Sequence, residues 1–145
     1  MRKTRNIFLL LLVLVICLIS AGCSSANNLA IENHKWQISR IQLSESGTIA
    51  YCSSDEADLH QDAEIIDLSC AASNGEIQIT DNTNNREWVL EYSEANAAPK
   101  STVYEINGNN NAVVGKTTYH DGSFEYTLII SVDDYVMYFS DKPQP

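Results

Sequence analysis

The clearest pattern in this chain is "SFEYTLIISVDDYVMYFSD", residues 123–141. In its first half, Phe124, Tyr126, Leu128, Ile130 and Val132 recur at every second position. That is the side-chain period of a strand with one apolar face, whereas a helix would need apolar residues three and four apart. "DD" (133–134) is a tight turn, and "YVMYFSD" (135–141) resumes as a second strand. The stretch therefore predicts an antiparallel hairpin. The "KPQP" that follows cannot extend a ladder, because proline has no N–H to donate, so the fold ends there.

Towards the N-terminus the same grammar repeats. "AVVGKTTYH" (112–120) reaches the 123–132 strand through "DG" (121–122), and "STVYEIN" (101–107) turns into it through Asn107-Gly108. Asn-Gly suits the left-handed backbone of a short hairpin turn. "EANAAPK" reads as a loop. "REWVLEYSE" (86–94) alternates Trp88, Leu90 and Tyr92, and "GEIQIT" (75–80) alternates Ile77 and Ile79, with "DNTNN" (81–85) turning between them.

The first part of the domain is less regular. "KWQISRIQL" (35–43) puts Trp36 and Ile38 on one parity and Ile41 and Leu43 on the other, which predicts a bulge near Ser39 and Arg40. "GTIAYC" (47–52) is a strand after the turn residues "SESG". Residues 54–62 read as a short helix or an acidic loop, leading into a strand at "EIIDLSC" (64–70). About eight short strands joined by tight turns predict an all-β fold, an antiparallel up-and-down barrel or sandwich. The domain is expected over 33–142, after a flexible polar tether at 23–32.

Arg2, Lys3 and Arg5 precede an apolar run from Ile7 to Ile19, and the small residues Ser20, Ala21 and Gly22 follow it. Together they form a secretory signal peptide, 1–22; the run is shorter than the ~20 residues that cross a bilayer. "ISAGC" (19–23) resembles the lipobox of bacterial lipoproteins, with Ser20 standing where that motif usually has Leu. The resemblance implies cleavage after Gly22 and a diacylglycerol on Cys23. It also implies a protein held by that anchor on the extracytoplasmic side of a bacterial cell membrane. Six of the nine Lys/Arg and all nineteen Asp/Glu remain after Gly22, a formal charge of −13. Such a surface repels phosphate backbones, which excludes nucleic acid as a partner.

The chain has four cysteines, and with Cys17 and Cys23 in the N-terminal segment, Cys52 and Cys70 remain. In an exported protein such a pair reads as a disulfide closing a loop of about nineteen residues, worth ~3 kcal/mol, or else as two buried free thiols. His34, His60 and His120 lack metal-ligand spacing and sit beside turns. No G-x-S-x-G frames a serine nucleophile. "DNTNN" begins like a calcium loop, but Arg86 and Tyr92 occupy the positions that need Gly and Glu. The acids Asp55, Glu56, Asp58, Asp62 and Glu64 read as a solvated face. Nothing here asks for an enzyme, a metal or another cofactor.

The aromatics carry the remaining signal. Trp36, Trp88, Tyr92, Tyr104, Phe124, Tyr126 and Phe139 fall on inward parities of different strands. They predict either a filled core or, in a closed barrel of about eight strands, the walls of a cavity for one small ligand. An early strand bearing Trp36, an acidic insertion, a meander of hairpins and an aromatic last strand resemble the small lipocalin-like lipoproteins of bacteria. The Gly-x-Trp signature of lipocalins is missing, since Asn33 and His34 precede Lys35 and Trp36. The resemblance implies a module that binds a small apolar or amphipathic ligand, or an envelope partner. The alternative that the residues leave open is a structural or protein-interaction lipoprotein with a filled core and no ligand.

Overall fold

The computed structural model describes residues 28–141, so the signal-peptide and lipobox readings, Cys23 included, lie outside the described residues. Ten strands follow a 3-10 turn at Ile31–Asn33: β1 (Trp36–Leu43), β2 (Ile49–Cys52), β3 (Glu64–Ile65), β4 (Leu68–Ser73), β5 (Glu76–Asp81), β6 (Arg86–Ala98), β7 (Ser101–Ile106), β8 (Asn110–Thr118), β9 (Phe124–Val132) and β10 (Tyr135–Ser140). The order β1-β4-β5-β6-β7-β8-β9-β10 closes when β10 pairs with β1, giving an eight-stranded antiparallel barrel. β2 and β3 lie outside the ring, β2 antiparallel to the second half of β1 and β3 parallel to β2.

Local chemistry explains the turns. Among the described residues, Asn74, Asn85, Asn107 and Asp133 are the non-glycine positions with positive φ, and Asn and Asp tolerate that backbone best. At the β5–β6 turn, the Asp81 carboxylate accepts hydrogen bonds from the N–H groups of Thr83 and Asn84 and from the Asn84 side chain. Those donors, the Asn84 side chain foremost, hold its carboxyl below the usual range. "DNTNN" is thus a self-satisfied turn. The bulge lies between Ile38 and Arg40. It lets Trp36, Ile38 and Ile41 all point inward and turns Ser39 towards the β2 side, where its carbonyl accepts from the N–H of Ser53.

Several strands differ from the sequence expectation. "EIIDLSC" breaks at Ile66 and Asp67 into β3 and β4, because β3 follows β2 while β4 joins the ring. β6 runs on through "EANAA", held by β7 alone; its first half, Arg86–Glu91, pairs only with β5. Over 54–62 the chain makes one 3-10 turn, Ser54–Glu56, followed by further turns.

The supposed tether also folds. Leu29 and Ile31 are buried in the core, and the segment 28–34 closes one end of the barrel like a stopper. The Ile31 N–H donates to the Tyr104 hydroxyl (3.0 Å), the Trp36 indole donates to the Ile31 carbonyl (3.1 Å), and Tyr92 donates to Glu32. His34 bridges the Asp141 carboxylate (2.6 Å) and the Asn28 carbonyl (2.7 Å). Ile31 is the apolar residue that fits the hole, and the surrounding hydroxyl and indole satisfy its backbone. Residues 28–32, expected as tether, are therefore part of the packed domain.

Cys52 and Cys70 are both buried and both free, which corrects the disulfide expectation. Register supplies the reason: Cys70 faces Trp36 and Cys52 faces Arg40. Four residues of strand separate the two levels, about 13 Å, while a disulfide needs Cα atoms within about 7 Å. Burial pushes the Cys70 thiol up to about 12. Alkylating reagents at pH 8 are therefore expected to leave Cys70 unmodified in the folded protein and to label both thiols after denaturation, as read by mass spectrometry.

Candidate functional site

Most of the barrel interior is filled. Trp36, Phe139, Ile77, Ile106, Val114, Leu128 and Ile130 are fully buried and pack into one core with Tyr104. Three of the residues assigned to a ligand cavity from sequence, Trp36, Tyr104 and Phe139, are thus core or stopper contacts. Tyr92 belongs to the stopper end, where burial and then the bonded Glu32 raise its phenol well above the usual range. Tyr126 is half-buried and packs against the His34 ring at a tilt of 41° (ring centroids 4.5 Å) at that same end. Phe124 is 55% exposed: it pairs with Thr118, beyond the last pairs that β9 makes with β10 and β8 makes with β7, so its inward parity faces no core.

At the opposite end the side chains stop short of filling the space and leave a cavity of about 320 Å³. Its floor is apolar: Ile41 from β1, Leu68 from β4, Ile79 from β5, Leu90 from β6, Val132 from β9 and Met137 from β10. The β2–β3 flap closes one side with Tyr51 and Ile66. Trp88, opposite Ile79 in the register and 45% exposed, stands with Tyr135 at the rim. Asp133, in the β9–β10 turn, is the charged lining residue. Trp88 is thus the one aromatic of the sequence-assigned set that lines this cavity. Of the other lining residues, the sequence pattern marks Ile41, Ile79, Leu90 and Val132 as apolar strand positions and singles out none of Tyr51, Ile66, Tyr135 and Met137.

The flap is held down by polar contacts. Ser39 donates to Glu56, whose other carboxylate oxygen lies 3.4 Å from His60 and 3.9 Å from Arg40. The serine is bonded to the acid and not to the histidine, so this trio lacks the Ser–His contact that activates a nucleophile. It fastens the 3-10 turn to the bulge of β1.

No known protein family, curated protein or solved structure matches this sequence. The site must be read from its own chemistry. Among the described residues, no group of three or more His, Cys, Asp or Glu is arranged to hold a metal ion, and no helix is long and apolar enough to cross a membrane. What the arrangement can do is exclude water from one face of a small apolar body and leave its other end at an aromatic rim. Cavities of 300 Å³ and upwards, apolar with a few polar tips, are the usual form of small-molecule sites; this one lies near that lower bound.

Proposed function

We propose that this protein is a membrane-anchored extracytoplasmic lipoprotein whose barrel binds one small apolar or amphipathic molecule. The observation that carries the binding half is the one-sided cavity: apolar walls, an open rim, and a barrel shut at its other end by residues 28–34. Its volume corresponds to roughly ten water-sized groups, which suits a compact molecule and not a long acyl chain. The anchoring half rests on the lipobox-like "ISAGC" and Cys23. Two or more acyl chains hold a protein stably where one does not.

Each half has its test. The chain has two tryptophans, Trp36 sealed in the core and Trp88 at the cavity rim. A brominated small apolar probe bound in the cavity is expected to quench Trp88 and spare Trp36, so that Trp88→Phe abolishes the quenching. Unquenched emission in the unaltered protein would remove the ligand reading. For the anchor, Cys23→Ala is expected to release the protein from membranes or leave an unprocessed precursor; unchanged membrane association and gel mobility would refute it.

One observation favours a second reading, a protein-interaction lipoprotein. Val89 on β6 and Ile65 and Leu59 on the flap side are apolar and exposed. Proteins of this size use such residues to meet partners when they form a contiguous patch. Failure of every small probe to quench Trp88 would favour that reading.

A further inference from the structure

The wall of the cavity is electrically one-sided. Asp133 is its charged residue, and Lys35, Arg40, Arg86, Lys100 and Lys116, the described Lys and Arg residues, all lie elsewhere. We infer that the ligand is an organic cation with an apolar body, an amine or quaternary ammonium of about ten non-hydrogen atoms, its charge against Asp133 and its body on the apolar floor. This deepens the cavity reading above and rests on it.

Three independent features support the sign. First, the flap residue Tyr51 and the rim residues Trp88 and Tyr135 line the cavity with aromatic rings, whose faces attract cations and not anions. Second, the chain after Gly22 carries a formal charge of −13, and a cleft with low-dielectric walls focuses such a field on an incoming cation. Third, the turn itself does not require a carboxylate. Among the described residues four non-glycine positions have left-handed backbone; Asn serves at 74, 85 and 107, and Asp stands at 133, beside the cavity. The backbone would accept Asn equally well there, since both residues tolerate that conformation.

Asp133 is also held in place. Its N–H donates to the Asn110 side chain (3.4 Å), and the neighbouring Asp134 carbonyl accepts from the N–H of Ser44 at the end of β1 (2.8 Å). Among the described residues no ion pair involves it. These bonds fix the backbone that carries Asp133, so its exposed carboxylate stays tethered at the edge of the apolar wall, without a cation among the described residues. An anionic ligand of the same shape would meet the carboxylate, the π faces and the overall field all with the wrong sign.

The experiment compares three probes of matched shape, 3-phenylpropylammonium, 3-phenylpropanol and 3-phenylpropanoate, by calorimetry. The protein is reconstituted in phosphatidylcholine vesicles, with empty vesicles as the blank, and Asp133→Asn is run beside it. The expected order is amine, alcohol, carboxylate, with the amine about tenfold tighter than the alcohol, the usual scale of one charge-assisted contact. In Asp133→Asn the amine should fall to the level of the alcohol while the alcohol is unchanged; that variant keeps the turn, and an unchanged melting temperature verifies it. Equal binding of amine and alcohol, or a preference that survives Asp133→Asn, would overturn the cation while the cavity reading stands. Absence of binding by all three, together with no quenching of Trp88 by brominated probes, would overturn both.

Discussion

Phe139→Ala is expected to cost about 3–5 kcal/mol, enough to leave the domain largely unfolded at 37 °C if its stability lies at the lower end of the usual 5–15 kcal/mol. Phe139 is fully buried, faces Ile38 on β1 and Leu128 on β9, and sits at the seam where β10 closes the ring. Removing the ring leaves a void that rigid strands on both sides cannot collapse into, so the lost transfer energy and the cavity add. Denaturant unfolding followed by circular dichroism measures the loss. Trp88→Ala is the informative contrast: at the rim, half in water, it should cost much less stability and remove ligand binding instead. Equal stability losses at the two positions would mean that the barrel core is not where the packing places it.

Ile31→Asp should have an effect of similar size by a different route. The side chain is fully buried at the stopper among apolar groups, where a carboxylate would be stripped of its hydration. An unpaired buried charge costs several kcal/mol unless the group protonates or leaves. The cheaper outcome is that residues 28–34 detach, since they are tied by a few hydrogen bonds and their own apolar side chains. Trp36 would then lose the Ile31 carbonyl that its indole donates to, and its emission should shift to longer wavelength. The deficit shrinks as pH is lowered, because the neutral acid is cheaper to bury. Ile31→Val, which keeps the shape, should cost only about 0.5–1.5 kcal/mol. A detached stopper with unchanged unfolding free energy would show that the segment is an ornament and not part of the core.

The strands were legible where burial and turn chemistry agree. Tyr126 to Val132 alternate strictly because β9 lies between β8 and β10 in the ring, and Asn74, Asn107 and the Gly residues after them mark real left-handed turns. Sequence fails where a neighbour overrides it. "EANAA" has weak β propensity and becomes strand because β7 supplies the partner. Leu29 and Ile31 looked like tether since two apolar residues in a polar run have no period to read.

The cavity was half legible, and the missing half is one of height. Parity says that a residue points inward; it does not say how far along the barrel it sits. That height depends on the stagger accumulated around eight strands. Trp36, Trp88, Tyr104 and Phe139 share an inward parity, yet one stands at the rim and the rest lie in the core or against the stopper. The bulge at Ser39 adds a second uncertainty, because it decides which parity Ile41 follows. Asp133 was read as turn material, which it is. Its nearness to the cavity comes from Val132 and Tyr135 being inward neighbours at the rim, a fact of three dimensions.

The stopper has one more consequence, a matter of mounting. Residues 28–34 enter at the shut end, and His34 ties them to Asp141, so the described chain both starts and finishes on the same side of the barrel. The β9–β10 turn and the Trp88 rim lie on the other. A bead, a chip surface or a fused domain joined directly at Asn28 or Asp141 would therefore sit behind the barrel, with the cavity presented outward.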